Sequence, residues 1–189
     1  MPRFVAFLGS INVGSNKLLM DDLRHVLRYE DFDDVETVAA SGNVLFTHPE
    51  CPSEGLAEKM AWIIHDEFDI ESFVAVRTRA EVEAIIAENP FGPDKDNGGE
   101  EKFVHTIFLE GTPGEHQVKA LIMDHEGRGQ ERIAAGTNAL HVDYVDGVGR
   151  SNLTGDFIER RLGLRGTARN MRSLKRVVSK LEELEQADG

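Results

Sequence analysis

The chain has one cysteine, Cys51, in 189 residues. That excludes a disulfide framework and a cysteine-built zinc site. It has no apolar run near the ~20 residues that a membrane-spanning helix requires. Met1-Pro2-Arg3-Phe4 leads straight into a strand-like pattern, with no signal-peptide character. Positive charge is scarce: 21 Lys and Arg stand against 34 Asp and Glu, for a net charge of −13. Such a surface disfavours non-specific nucleic-acid binding and attraction to anionic membranes. The expected compartment is the cytoplasm. Catalytic signatures are absent too. Neither the G-x-x-x-x-G-K-[ST] nor the G-x-G-x-x-G spacing occurs, and the seven histidines form no H-E-x-x-H pattern. Gly149-Arg150-Ser151-Asn152-Leu153 lacks the closing glycine of a nucleophile elbow. No metal site, catalytic residue or cofactor is assigned from the sequence.

What the chain does have is enough apolar material, 40% of its residues, for a folded core. Phe4–Leu8 reads as a strand. Leu19, Leu23, Val26 and Leu27 recur at helical spacing, predicting a helix from about Leu19 to Tyr29. Val35–Ala39 and Val44–Thr47 read as two strands joined at Ser41-Gly42, a two-residue turn suited to a hairpin. A helix is expected from Ser53 to about Phe68, then a strand over Glu71–Val76. This β-α-β-β-α-β order predicts a ferredoxin-like plait. Thr78-Arg79-Ala80-Glu81 has capping-box form and predicts a helix to about Glu88. Residues 92–101, rich in Gly and Asp, read as a linker or loop.

The second half gives a strand at Phe103–Leu109 and a helix over Glu115–His125. Short strands follow near Glu131–Ala134 and Ala139–Val145, then a helix from Leu153 to Leu162. A final amphipathic helix runs from Asn170 to about Gln186. The strand expected last in a plait is hard to find, because Gly163 and Gly166 make residues 163–168 a poor strand. The expected fold class is α+β: two ferredoxin-like βαββαβ plaits with an extra C-terminal amphipathic helix. The expected division is 1–77, a connector over 78–101, and 102–189.

Two polar turns stand out, Gly9-Ser10-Ile11-Asn12-Val13-Gly14-Ser15-Asn16 and Ser41-Gly42-Asn43. In a plait, strands one and two run the same way. The exit of strand one and the strand two–three hairpin therefore share an edge. That places Asn12, Gly14, Ser15 and Asn16 beside Ser41, Gly42 and Asn43. Glycine admits close backbone approach, and Ser and Asn supply donors and acceptors, which suits a phosphate or carboxylate. The competing explanation is ordinary turn chemistry, with Gly and Asn for positive φ and Ser for local bonds.

Residues 150–180 hold nine Lys and Arg against two acids, a local +7 in a chain otherwise at −20. One explanation is a basic helix docked on the protein's own acidic body; the other is an anion site. In the second, Arg150 beside a helix start capped by Ser151 or Asn152, with Thr154 following, could grip an anion. Arg169 and Asn170 repeat the pattern at the next helix start. Plain N-caps with surface arginines would look the same.

Gly9–Ser15, Ala40–Phe46, Asn89-Pro90-Phe91, Gly149–Thr154 and Thr167–Met171 together resemble a widespread bacterial family of unknown function, the DUF 1697 family. Its members read roughly RGINVGG, QSGNVVF, GRSKLT and TTRNW at these places. The resemblance covers nearly the whole chain and implies a fold similar to two ferredoxin-like plaits. It implies no established activity and carries over no catalytic residue. Gly9 stands where the family has arginine, Ser15 where it has the second glycine, Asn152 where it has lysine and Met171 where it has tryptophan. Two cationic positions are thus missing from the anion-site pattern.

The resulting expectation is a protein that binds a small anionic or nucleotide-like ligand at these turns. Two alternatives stand beside it. One is a transferase or hydrolase acting on such a ligand, with Ser41 or Ser151 as nucleophile if a histidine approaches. The other is an RNA- or protein-interaction module, which would use strand aromatics such as Phe4, Phe7 and Phe46 if they are exposed.

Overall fold

The computed structural model describes residues 1–38, 42–49 and 53–189, and only the backbone of Ser53 and Glu54. Ser41, Cys51 and the end of the expected second strand at Ala39 lie outside the described residues.

The fold is α+β. Among the described residues it comprises six α-helices and two four-stranded antiparallel sheets. The first sheet uses β1 (Arg3–Leu8), β2 (Asp33–Thr37), β3 (Asn43–Thr47) and β4 (Val74–Thr78), with α1 (Met20–Tyr29) and α2 (Ser53–Phe68) between them. Its strand order is β2-β3-β1-β4. Strand alternation explains its core. Phe4, Ala6 and Leu8 of β1 face the helices and pack with Leu23 and Leu27 of α1 and Met60 and Ile64 of α2. Val5 and Phe7 point the other way and are also fully buried.

Next come α3 (Arg79–Glu88), β5 (Val104–Leu109), α4 (Glu115–His125), β6 (Arg132–Gly136), β7 (Ala139–Asp143), α5 (Gly155–Leu162), β8 (Gly166–Asn170) and α6 (Met171–Ala187). The expected capping box opens α3. Glu81 N–H donates to Thr78 Oγ1 at 3.2 Å, and Thr78 N–H donates to Glu81 Oε2 at 2.7 Å. The second sheet has the order β6-β7-β5-β8, the order of the first sheet repeated.

The repetition extends to hydrogen bonds at the strand ends. Leu8 N–H donates to Gly42 O at 2.8 Å, and Leu109 N–H to Asn138 O at 2.9 Å. One residue on, Gly9 N–H donates to Phe73 O and Glu110 N–H to Arg165 O, at 2.7 and 3.0 Å. No residue-level repeat in the sequence announces this duplication.

Two readings of the second half are corrected. A fourth strand exists, and it is β8. Gly166 counted against it, yet a Cβ there would sit 2.7 Å from Ile107 Cγ2 and 2.9 Å from Leu109 Cδ2. The glycine is there because the neighbouring strand's side chains fill the space. Thr167 and Arg169 accordingly lie on a strand and not in a helix start, although Asn170 Oδ1 does cap α6 by accepting from Ser173 N–H at 2.9 Å. The second correction concerns α5. Thr154 is its N-cap, accepting from Phe157 N–H at 3.2 Å, in place of Ser151 or Asn152.

The chain folds into two compact units, one made of Met1–Val82 together with Lys175–Gly189, the other of Glu83–Leu174. The distal part of α6 thus belongs to the first unit. Ion pairs fix it there: Asp188 to Arg3 and Glu185 to Arg79, each at 2.7 Å. Among the described residues no helix is long and apolar enough to cross a membrane.

Candidate functional site

In the first unit, β1 and β2 both run antiparallel to β3, so the loop after β1 and the β2–β3 connection share an edge. Ser72 Oγ donates to Gly9 O at 2.7 Å, and Asn43 Nδ2 donates to Val38 O at 3.0 Å, knitting that edge together. The loop after β1 is built on three left-handed residues at alternate positions: Ser10 (φ 58), Asn12 (φ 55) and Gly14 (φ 60). Asn12 Oδ1 accepts from Leu18 N–H, and Asn16 Nδ2 donates to Ser10 O, both at 3.0 Å. One amide atom each of Asn12, Asn16 and Asn43 is therefore engaged in holding the fold. The loop also leaves backbone donors open: among the described residues nothing accepts from the N–H groups of Val13, Gly14 and Ser15. The Lys17 ammonium is exposed beside them. Val13 and Leu19, large apolar residues, are 68% and 69% exposed on either side.

The second unit carries a more elaborate loop, between β7 and α5. It opens on a strained turn. Asp146 N–H donates to Tyr144 O at 2.5 Å, closing a three-residue turn with Val145 at its centre. Val145 has φ 56, a conformation that a β-branched residue rarely adopts. Asp143 holds it there, accepting from Val145 N–H on Oδ1 at 3.0 Å. The other carboxylate oxygen of Asp143 accepts from Arg132 Nη2 at 2.5 Å and Nε at 3.1 Å. Gly99 packs so closely on this carboxylate that a Cβ there would lie 2.7 Å from Oδ2.

The far end of the loop is pinned separately. Ser151 Oγ donates to Glu131 Oε1 and accepts from Leu153 N–H at 3.0 Å. Glu131 Oε2 bonds His125 Nε2 at 2.7 Å, and Tyr144 Oη donates to Leu153 O at 3.1 Å. Burial works to raise the Glu131 carboxyl. The bonds from Ser151, its own backbone N–H and His125 outweigh that and hold it below the ordinary range. Burial pushes the Tyr144 phenol up to about 12, with the Glu131 charge adding to it.

Ser151 therefore touches a carboxylate and not a histidine. The carboxylate sits in the middle of this chain, so the arrangement is not that of an activated nucleophile, which needs the base between hydroxyl and acid. Ser151 and Thr154 hold the loop and the following helix. Between the pins, Val148–Arg150 forms one 3-10 turn, and Val148 is 51% exposed. Arg150 and Asn152 are exposed, and among the described residues nothing accepts from the Arg150 guanidinium.

A third polar cluster lies on one face of the second sheet. Cross-strand pairing puts Ala134, His141, Thr106 and Arg169 in one row over all four strands. Thr106 Oγ1 and His141 Nδ1 are 2.9 Å apart, and His141 Nε2 lies 3.1 Å from Glu88 Oε1 of α3. Both His141 and Thr106 are buried. Arg169 donates from Nη1 to Thr167 Oγ1 at 2.8 Å and Ala168 O at 2.7 Å, and burial brings its guanidinium down to about 10.

The predicted site residues thus separate. Asn12, Gly14, Ser15, Asn16, Gly42 and Asn43 belong to the first unit, and Arg150, Ser151, Asn152, Thr154, Arg169 and Asn170 to the second. Ser41 is outside the described residues. Phe4, Phe7 and Phe46 are fully buried, so they offer no stacking platform for bases. Glu131, Asp143 and the Glu88–His141–Thr106 chain were not singled out from the sequence. The faint signal was His141 and Asp143 alternating on one face of a strand. Among the described residues no group of three or more His, Cys, Asp or Glu is placed to hold a metal ion.

Comparison with known proteins adds family and fold. The family described as "Protein of unknown function (DUF1697)" matches residues 1–141. No curated protein matches the chain. Among solved structures, the conserved bacterial protein SP0830 from Streptococcus pneumoniae superposes with a TM-score of 0.67 at 19% sequence identity, covering 96% of this chain and 99% of that one. At that identity the likeness shows a shared fold.

Proposed function

We propose, for a chain that belongs to the DUF1697 family of proteins of unknown function, that it binds a small anionic ligand carrying a phosphate or carboxylate, with the Arg150 loop as the principal contact. The observation that carries this is the contrast within that loop. Asp143, Glu131 and Tyr144 are committed to holding it, while Arg150 is left exposed at its turn. The braced loop fixes where the Arg150 side chain starts, and a guanidinium matches a phosphate or carboxylate with two parallel bonds. In an acidic chain this also gives local selectivity for negative charge. In the first unit the N–H groups of Val13, Gly14 and Ser15, with Lys17, offer a second surface of the same chemical kind.

The repeated strand order supports reading each half as a ferredoxin-like plait, and the cytoplasm as the working compartment belongs to the same proposal. The enzyme reading draws less support, because the hydroxyl and imidazole of the Thr106–His141–Glu88 chain are both buried on strands of the sheet.

Thermal denaturation with inorganic phosphate, nucleotides and sugar phosphates at millimolar levels tests the proposal. A ligand at a hundredfold excess over its Kd stabilises by about 2.7 kcal/mol. A rise in midpoint with at least one of them, lost in Arg150→Ala, is the expected result. No shift with any of them overturns the proposal.

A further inference from the structure

The chain leaves α4 through a turn that sends Arg128 back over the following helix. Gly127 has φ 77, and Arg128 N–H donates to His125 O at 3.0 Å. The Arg128 guanidinium comes to rest over the Phe157 ring, 5.8 Å from its centre. Phe157 stands in the first turn of α5, where its N–H donates to Thr154 Oγ1 at 3.2 Å. Arg161, one helical turn further on, meets the same ring at 5.0 Å. The two arginines differ in what else they bond. Arg161 Nη1 is paired with Asp124 at 2.7 Å. Arg128 is exposed, and among the described residues nothing accepts from its guanidinium.

Arg128 and Arg150 are each one residue from a contact with the same buried carboxylate. Gly129 packs against Glu131 so closely that a Cβ there would overlap Oε2 and lie 3.1 Å from Oε1. Oε1 accepts from Ser151 Oγ, on the residue after Arg150. The α4–β6 loop and the Arg150 loop therefore adjoin within the second unit, each with an exposed guanidinium that has no acceptor among the described residues. Glu131 makes an ion pair with neither. Oε1 holds Ser151, Oε2 bonds His125 Nε2, and the side chain is 8% exposed.

We propose that Arg128 and Arg150 form a two-point clamp, so that the ligand of this site carries two anionic groups, as a diphosphate or a bisphosphate does. This rests on reading the Arg150 loop as an anion site and adds the second contact. Phe157 explains why Arg128 suits the role. The ring attracts the cation through its quadrupole and offers no oxygen for the N–H groups to bond, so they remain available to an oxyanion. A single phosphate engages one guanidinium. A second anionic group engages the other, and each charge-assisted pair adds affinity. In a chain of net charge −13, a more negative ligand gains only where such cations collect.

Isothermal titration calorimetry of the full chain, without divalent cations, compares inorganic phosphate, pyrophosphate and a hexose bisphosphate. The first offers one anionic group, the second two adjoining ones and the third two held apart. At least one of the two-group probes is expected to bind about tenfold or more tighter than phosphate. Arg128→Ala is expected to abolish that advantage while leaving phosphate affinity within about twofold. Lys119→Ala removes a positive charge of α4 that is paired with Glu115, and is expected to keep the advantage, which separates a contact from overall charge. Equal affinity for all three probes overturns the clamp and leaves the Arg150 reading standing. So does an advantage that survives Arg128→Ala or falls equally in Lys119→Ala. Binding of none of the probes overturns the Arg150 reading, and the clamp with it.

Discussion

Asp143 holds Val145 in a left-handed turn: its Oδ1 accepts the Val145 N–H at 3.0 Å, and Val145 has φ 56. A β-branched residue in that region stores about 1–3 kcal/mol of strain. Val145→Gly removes the steric part while leaving the N–H in place. Glycine also costs more chain entropy on folding. The net expectation is a gain in stability of up to about 1 kcal/mol by urea denaturation. Asp143→Ala removes the carboxylate from Arg132, which keeps its bond to Asn97 O, and frees the turn, with an expected loss of about 1–2 kcal/mol. A destabilised Val145→Gly would show that the side chain, and not the turn, is what the site requires.

Arg150 contributes little to the fold, since its guanidinium is exposed and nothing among the described residues accepts from it. Arg150→Ala is therefore expected to stay within about 0.5 kcal/mol of the wild type. Any phosphate-dependent rise in melting midpoint should disappear in the same variant. Ser151→Ala makes the contrast. It removes one of the bonds that hold the Glu131 carboxyl low, so its acid unfolding should begin at higher pH. The sign follows from linkage: a lowered carboxyl stabilises above its unfolded value near 4.5 and loses that contribution as pH falls. Acid titration monitored by circular dichroism separates the two variants.

The architecture was legible where local rules are strong. The capping box at Thr78 and Glu81 and the apolar stripe of Leu23 and Leu27 depend on near neighbours, and both occur as read. The order of the first four strands follows from the same patterns. β8 was not legible, because Gly166 is determined by Ile107 and Leu109 on a strand some 60 residues away. The loop after β1 is a structured one, with Ser10, Asn12 and Gly14 all at positive φ. Asn12 and Asn16 each also brace the loop through one amide atom, a role that a sequence does not tell from facing a ligand. Arg150 stood out by charge. The residues that brace it, Glu131 and Asp143, did not, since in a chain with 34 acidic residues nothing local separates the two buried ones from the rest.

Gly166 gives a direct check on that account of β8. A Cβ at this position would also come within 3.0 Å of the Phe108 carbonyl oxygen, which cannot swing aside as a side chain can. Gly166→Ala is expected to cost about 1–3 kcal/mol, the range for an overpacked site. Pairing Gly166→Ala with Ile107→Ala should recover part of the loss, because Ile107 Cγ2 is the nearest atom. Strictly additive losses in urea denaturation would mean that the glycine is needed for its backbone and not for its size.

Tyr144 sets the alkaline limit of the fold. Its phenol is buried, donates to Leu153 O at 3.1 Å and is pushed up to about 12, against an ordinary value near 10. The unfolded chain thus loses this proton at lower pH than the folded one. The sign is opposite to that of the carboxyls: stability is intact below pH 10 and falls as pH rises from 10 towards 12. A difference of about two units corresponds to a loss on the order of 2–3 kcal/mol across that window. The chain has two tyrosines, and the other, Tyr29, is 77% exposed. Absorbance titration at 295 nm should therefore show a phenol step that appears only as the protein unfolds. Tyr144→Phe should lose the late step and the steep alkaline decline, while starting about 1 kcal/mol less stable at neutral pH for want of the bond to Leu153. Ionisation of the Tyr144 phenol near pH 10 while the protein stays folded would contradict the buried hydrogen bond that pins the Arg150 loop.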